Sequence, residues 1–164
     1  MATYLAKSTD SLIFNLTHDD KLIGKLTYKS WFKFNALVEM ADGKFYQVEP
    51  KGFWGTTIEV KENEQVLAKF CMNWNSEIVI RTFTEDVEKG YILTHKGVFK
   101  ESFVLVDQDG QELLIIKPHL EWFKMSSEYQ IITTDELENV QNKGTLLMTA
   151  LQGANYYMSL ASSG

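Results

Sequence analysis

Apolar and polar residues alternate along most of this chain, in short runs that end at turn-forming residues. Leu12, Phe14 and Leu16 alternate with polar neighbours, and the run His18-Asp19-Asp20-Lys21 follows them as a turn. Because successive side chains of a strand point to opposite faces, this period of two predicts half-buried β-strands. Its recurrence along the chain predicts a meandering antiparallel sheet.

The alternation predicts about twelve strands in all. Ala41-Asp42-Gly43-Lys44 is a strong hairpin signal, because Asp-Gly readily supplies the positive φ of a tight turn. So many short strands are expected to close into a barrel or to stack as a sandwich, since open edges invite aggregation. The predicted strands lie at about 12–17, 22–29, 33–40, 45–49, 53–60, 66–72, 77–83, 90–95, 98–106, 111–117, 119–125 and 128–134.

The C-terminal part of the chain has a different character. Thr133-Thr134-Asp135-Glu136 fits a capping box and predicts a short polar helix that ends near Asn142. From Gly144 to Gly164 there is no Asp, Glu, Lys or Arg. A helix over about 145–161 would be apolar on all sides, which is typical of a helix surrounded by protein. The prediction is a single domain, 1–164, mainly β with a C-terminal α-helix, in which a closed antiparallel barrel surrounds that helix.

A twelve-strand antiparallel meander that ends in a hydrophobic helix resembles the tubby C-terminal-like superfamily, which includes tubby proteins, phospholipid scramblases and LURP-one-related proteins. The likeness is carried by the hairpin Val106–Leu113, the late strand Glu128-Tyr129-Gln130-Ile131, and the tail from Thr145 to Ala161. The resemblance implies a closed barrel with the C-terminal helix threading its interior. It also implies association with phosphoinositides or other lipids in some members, and no enzyme chemistry in most. No lipid-binding residue is transferred to this chain.

Charge narrows the range of partners. Sixteen basic and 22 acidic residues give a net charge of −6, and residues 101–164, with three lysines and nine acids, account for all of it. A general nucleic-acid binder needs a net basic surface, so no nucleic-acid partner is expected. A single cysteine, Cys71, suits a reducing compartment. The first thirty residues contain no apolar signal run, so the predicted location is cytoplasmic and no transmembrane span is expected.

The strongest candidate ligand-binding residues lie on one predicted strand face. Lys25, Lys29, Trp31 and Lys33 are spaced by two or four positions, which places them on the same side of a strand. Such a row could receive a phosphorylated head group, with Trp31 at the apolar boundary. The alternative is an ordinary solvated face whose lysines discourage edge pairing.

No catalytic or metal-binding pattern emerges from residue spacing. His18, His95 and His119 are scattered, and Asp107-Gln108-Asp109-Gly110 is interpreted as a hairpin turn, because position 12 of a calcium loop would be Pro118. We therefore predict no enzyme, cofactor or metal.

The leading hypothesis is a binding or scaffold module that recognises a membrane phosphoinositide or a protein partner on its outer surface. The alternatives are a calycin-like barrel that carries a small apolar ligand inside, and an enzyme whose site assembles only in space. The oligomeric state stays open.

Overall fold

The computed structural model describes residues 1–8, 10, 12–30, 34–52, 55–84, 86–97, 102–121 and 126–163. Over these ranges the chain forms twelve strands followed by two helices. The strands are β1 Ala2–Ser8, β2 Ile13–His18, β3 Lys21–Tyr28, β4 Ala36–Met40, β5 Phe45–Lys51, β6 Thr57–Glu62, β7 Gln65–Met72, β8 Ile78–Thr84, β9 Val87–Lys96, β10 Ser102–Val106, β11 Glu112–Glu121 and β12 Ser126–Thr133. The helices are α1 Asp135–Glu138 and α2 Lys143–Ser163.

The strands close into one antiparallel barrel. Each strand pairs with its neighbours in the chain, and β1 pairs with both β2 and β12. The closing register runs from Ala2 opposite Thr133 to Ser8 opposite Ser127. Closure gives the first and the last strand a partner on both sides, which protects their backbone amides and carbonyls from pairing with other chains. The predicted closed barrel is therefore confirmed.

Two strand predictions were wrong. One strand was missed and another was divided in two, so the predicted number of strands still equals the observed number. The sequence pattern missed β1, a short run in which Tyr4 and Ala6 are the buried apolar residues and Ala2 packs only partly buried against the core. It also divided β11 into two strands at Pro118, which lacks a backbone donor. In the structure Pro118 stays within β11, paired with Tyr129 of β12. On the β10 side, the pairing of β11 among the described residues runs from Glu112 to Ile116 and does not reach Pro118, which suits a residue without an amide donor.

The helix boundaries also needed correction. The N-cap of the predicted polar helix is Thr134, whose hydroxyl accepts a hydrogen bond from the Leu137 amide at 3.3 Å, and the helix, α1, ends at Glu138 rather than near Asn142. The third helical position is then Leu137 rather than Glu136, and its side chain is fully buried. The predicted apolar helix over 145–161 is confirmed and is slightly longer, from Lys143 to Ser163.

Helix α2 lies inside the barrel. Every residue from Thr145 to Ala154 is buried, which covers all sides of the helix over almost three turns. Its contacts reach strands on different sides of the wall. The hydroxyl of Thr145 meets that of Tyr46 on β5 at 3.4 Å, and the ring of Tyr157 packs edge-on against Phe103 on β10, with centroids 5.4 Å apart. The helix is thus the core that the inner faces of the strands pack against.

Small residues let the helix and the wall approach closely. A Cβ atom at Gly153 would lie 3.2 Å from side-chain carbons of Ile78 on β8 and Leu93 on β9. On the wall, a Cβ atom at Gly24 of β3 would overlap the terminal methyl of Met148. Protein interiors are packed almost without voids, so these two glycines determine how near the helix can lie to each wall.

Two buried polar side chains of α2 donate hydrogen bonds within the lumen, whereas the side-chain oxygen of Gln152 is buried without a partner among the described residues. Thr149 and Gln152 are buried, and each donates to the helix backbone one turn earlier, Thr149 to the Thr145 carbonyl at 2.7 Å and Gln152 to the Met148 carbonyl at 3.0 Å. These bonds reduce the cost of placing polar groups in an apolar interior.

The helix core predicts a sharp difference between two leucines of α2. Leu151 is fully buried, whereas Leu160, near the end of the same helix, is 41% exposed. We expect Leu151→Ala to lower the free energy of unfolding by about 2–5 kcal/mol, through lost burial and the cavity that remains. Leu160→Ala is the matched control and should change it by less than about 1 kcal/mol. Urea denaturation followed by circular dichroism measures both, and equal losses would contradict the internal position of the helix.

Candidate functional site

The predicted lysine face is present in part on the outer wall of β3. Lys25 is half-buried and points outward, because its neighbours Gly24 and Leu26 face the lumen. Lys29 is exposed just beyond the end of β3, where its amide donates to the Asn35 carbonyl at 2.8 Å. Trp31 and Lys33 lie outside the described residues. The structure therefore brings Lys25 and Lys29 to one side of the barrel.

The neighbourhood of Lys25 is less basic than the spacing suggested. Its cross-strand neighbours are Asn15 on β2 and Glu39 on β4. An acidic side chain directly opposite a lysine offsets its charge. Four residues of strand separate Lys25 from Lys29 by roughly 13 Å, so the two ammonium groups can reach the same ligand only from opposite sides. Lys29 is the more accessible of the two cations.

A second cluster, which residue spacing gave no sign of, forms where α1 and α2 meet the barrel wall. The Glu138 carboxylate accepts hydrogen bonds from the Tyr4 hydroxyl at 3.0 Å, from the Thr133 hydroxyl at 3.0 Å and from the Lys143 ammonium at 3.2 Å. The His18 ring packs on Tyr4, with centroids 4.8 Å apart. Tyr4 and Glu138 are 134 positions apart, and only barrel closure brings them together.

The charges of this cluster are held in their ordinary states. Burial acts to raise the pKa of Glu138, but hydrogen bonds from Thr133, Tyr4 and Lys143 outweigh it, and the pKa falls below its usual 4.5. Burial, reinforced by Glu138, raises the pKa of the Tyr4 hydroxyl. Burial acts to lower the pKa of Lys143, yet hydrogen bonds to Glu138 and Tyr4 raise it overall. A carboxylate that is harder to protonate beside a phenol that is harder to deprotonate suits a structural clamp better than a proton-transfer site.

A polar chain in the lumen ties α2 to two strands. The Tyr129 hydroxyl on β12 donates to the Asn155 side-chain oxygen at 2.8 Å, and the Asn155 amide donates to the Tyr28 hydroxyl on β3 at 3.0 Å. Burial strongly raises the pKa of Tyr28. Asn155, which dilutes the apolar helix in sequence, thus has a structural partner on each side.

A groove of about 330 Å³ lies on the outer wall beside α1. Leu114, Ile115 and Ile132 contribute apolar surface, and Glu112, Asp135 and Glu136 are its acidic residues. The terminal ammonium of Met1 contacts Asp135 at the same place. Acidic groups repel phosphate, so this groove does not suit the anionic ligand expected at the lysine face.

The predicted turn at residues 107–110 lies within the described residues. The Asp107 carboxylate accepts hydrogen bonds from the amides of Asp109 and Gln111, both at 2.9 Å, so the predicted hairpin turn is confirmed. Within those ranges no three His, Cys, Asp or Glu side chains form a group that could hold a metal ion. Neither helix, over its described residues, is long and apolar enough to cross a membrane.

Comparison of the chain with family models, with curated proteins and with solved structures finds no match. The resemblance to tubby-like proteins therefore stays a prediction from layout.

The Glu138 clamp predicts a pH-dependent contribution to stability. Because the pKa of Glu138 is lowered in the folded state, the clamp stabilises the fold fully above the unfolded-state pKa, near 4.5. That contribution is lost as pH falls through the folded-state pKa. We expect Glu138→Gln to lower the free energy of unfolding by about 1–3 kcal/mol at neutral pH, with the difference from the parent shrinking below about pH 4.

Chemical denaturation across a pH series measures this difference. Glu136→Gln, at an exposed position of the same helix, is the matched control and should stay near the parent at every pH. A loss for Glu138→Gln that is the same at acid and neutral pH would contradict the assigned role of the carboxylate.

Proposed function

We propose that this protein is a non-enzymatic binding module that acts through the outer surface of a filled barrel. The observation that carries the proposal is the burial of α2 from Thr145 to Ala154 inside the strands. A barrel of this kind can hold a small ligand only if its lumen is open at one end. With the helix as its core, the wall and the rims are the surfaces left for recognition.

The ligand class we favour is an anionic head group, such as that of a membrane phosphoinositide, bound at the β3 wall. Lys29 supplies an exposed ammonium, and Lys25 lies on the same wall. The resemblance to tubby-like proteins supports the same ligand class. A net charge of −6 and the nearby Glu39 work against binding, so the interaction should be weak and sensitive to salt. We place the protein in the cytoplasm, where such lipids would be accessible to it.

Vesicle sedimentation tests this ligand. Vesicles of phosphatidylcholine with added phosphatidylinositol bisphosphate should carry the protein into the pellet at low salt, and vesicles without it should not. Lys25→Glu combined with Lys29→Glu should reduce the bound fraction by at least about fivefold, because each reversal replaces an attraction with a repulsion. Soluble inositol phosphate should compete if the head group alone is recognised.

A second double variant controls for net charge. Lys69 on β7 points outward and Lys89 on β9 is exposed, both far from β3 in the strand order, and Lys69→Glu with Lys89→Glu makes the same change in charge. If both double variants lose binding equally, the site on β3 is wrong. If the parent shows no phosphoinositide-dependent sedimentation, the lipid ligand is dropped and a protein partner becomes the leading alternative.

The calycin-like alternative is favoured by the aromatic-rich alternating strands but disfavoured by the position of α2. Deleting residues 144–164 distinguishes the two functions. A filled barrel without its core exposes the apolar inner faces, so we expect loss of soluble, cooperatively folding protein. A truncated domain that folded and bound an apolar fluorophore inside would support the ligand carrier instead. Solubility and thermal unfolding monitored by circular dichroism provide the measurement.

A further inference from the structure

A stripe of apolar side chains crosses the outer wall from β8 to β12, with at least one outward apolar residue on each of the five strands. The cross-strand registers form a continuous series of outward side chains: Val79 lies opposite Ile92, Ile92 opposite Val106, Val104 opposite Ile115, and Ile115 opposite Ile132. Val104 is only 5% exposed, and the others are half-buried. We call these six residues the apolar wall. Cross-strand neighbours on one face are in contact, so the apolar wall forms one surface.

The wall on the other side of the barrel has the opposite character. The side chains that point outward from β3 to β7 are mainly charged or polar, and several form ion pairs. Lys61 contacts Glu49 at 2.9 Å and Glu59 at 3.6 Å. An antiparallel sheet with one solvated face normally carries polar residues there. The apolar wall therefore departs from what a solvated barrel requires, and such patches mark interaction surfaces.

Charges flank the apolar wall with opposite signs at its two ends. On β11, Glu112 lies towards the turn from β10, Lys117 lies towards the far end of the strand, and Ile115 lies between them. Both charged residues are exposed. The groove carboxylates of Asp135 and Glu136 add to the acidic end. A half-turn about an axis that passes over Ile115, parallel to the sheet and perpendicular to β11, sets a second copy face to face with the first. The acidic end of one copy then lies opposite the basic end of the other.

We propose that the apolar wall is the interface of a two-fold symmetric dimer of this chain, with Ile115 near the axis and Glu112 of one copy facing Lys117 of the other. A two-fold interface uses one patch twice, so the patch must be complementary to itself. The apolar centre of one copy packs on the same centre of the other copy. The two-fold rotation brings the acidic end of each copy to the basic end of its partner, so the charges are complementary as well.

The size of the apolar wall indicates a weak dimer. The apolar wall together with the polar and charged residues that flank it, on five strands spaced by about 4.8 Å and over about 20 Å of strand length, covers on the order of 400 Å² per copy. Specific stable complexes bury about 800 Å² per partner, and smaller ones are transient. We therefore expect a dissociation constant of about 10–100 μM, in rapid exchange. The proposal does not depend on the proposed lipid site, because Lys25 and Lys29 lie on a different part of the barrel.

Analytical ultracentrifugation of the full chain from about 5 μM to about 500 μM spans the expected range. The weight-average mass should rise from that of the monomer, 18.9 kDa, towards twice that value. Ile115→Asp should raise the dissociation constant at least about tenfold, because it buries a charge at the centre of the interface. Leu37→Asp is the matched control, a half-buried outward residue on β4 whose substitution should leave the constant unchanged. A monomer at all concentrations, or equal effects of both variants, would overturn the proposal.

A charge exchange tests the symmetry itself. Glu112→Lys alone and Lys117→Glu alone should each weaken the dimer, because like charges then face each other. The double variant should restore it to within about threefold of the parent. Within one chain Glu112 also meets Lys96 at 3.9 Å, but both side chains are more than half exposed, so that pair contributes little. Failure of the double variant to recover would rule out this two-fold arrangement, even if the protein associates in another way.

Discussion

The burial of α2 inside the barrel is the constraint on which the rest of the structure depends. Twelve strands enclose a lumen too wide to be filled by wall side chains alone, and an uncharged helix supplies the missing volume. Gly24 on the wall and Gly153 on the helix allow the close approach that near-complete packing requires. Closure of the barrel and burial of the helix therefore form one cooperative event.

Polar contacts fix the helix at its start and just past its middle. Where α2 begins, the Glu138 carboxylate binds Tyr4, Thr133 and Lys143. Just past the middle of α2, Asn155 joins Tyr28 and Tyr129 across the lumen. Apolar packing alone tolerates sliding and rotation, whereas hydrogen bonds with defined partners specify one register. The clamp also joins β1 to β12 through the helix, so the closing strand pair and the core support each other.

A filled core leaves the outer wall as the surface for the binding function proposed above, and that wall has two different sides. The side formed by β3 to β7 carries lysines and ion pairs, as a solvated sheet does. The β8–β12 side carries the apolar wall, with Glu112 and Lys117 of the same strand flanking it. The proposed lipid site and the proposed self-association surface can coexist on one barrel because they occupy different strands. The two proposed interactions are thus separable by mutation.

The sequence by itself determined the fold class and the burial of the C-terminal helix. Alternation in period two predicted the strands, and 21 residues without Asp, Glu, Lys or Arg predicted a buried helix, because both are local patterns. Local patterns could not detect β1, whose inward residues are few, and they misjudged Pro118, which stays within β11 through its pairing with β12. They placed Lys25 on an outer face but could not reveal Glu39 opposite it.

Only the tertiary structure decided the clamp around Glu138 and the continuity of the apolar wall. Tyr4 meets Glu138 because the first strand closes on the last, and Ile115 meets Ile132 through strand register. Spacing along a chain cannot encode such contacts when more than a hundred residues, or a strand pairing not yet known, lie between the partners. Sequence pattern determines what each strand buries, whereas register and closure determine which side chains meet.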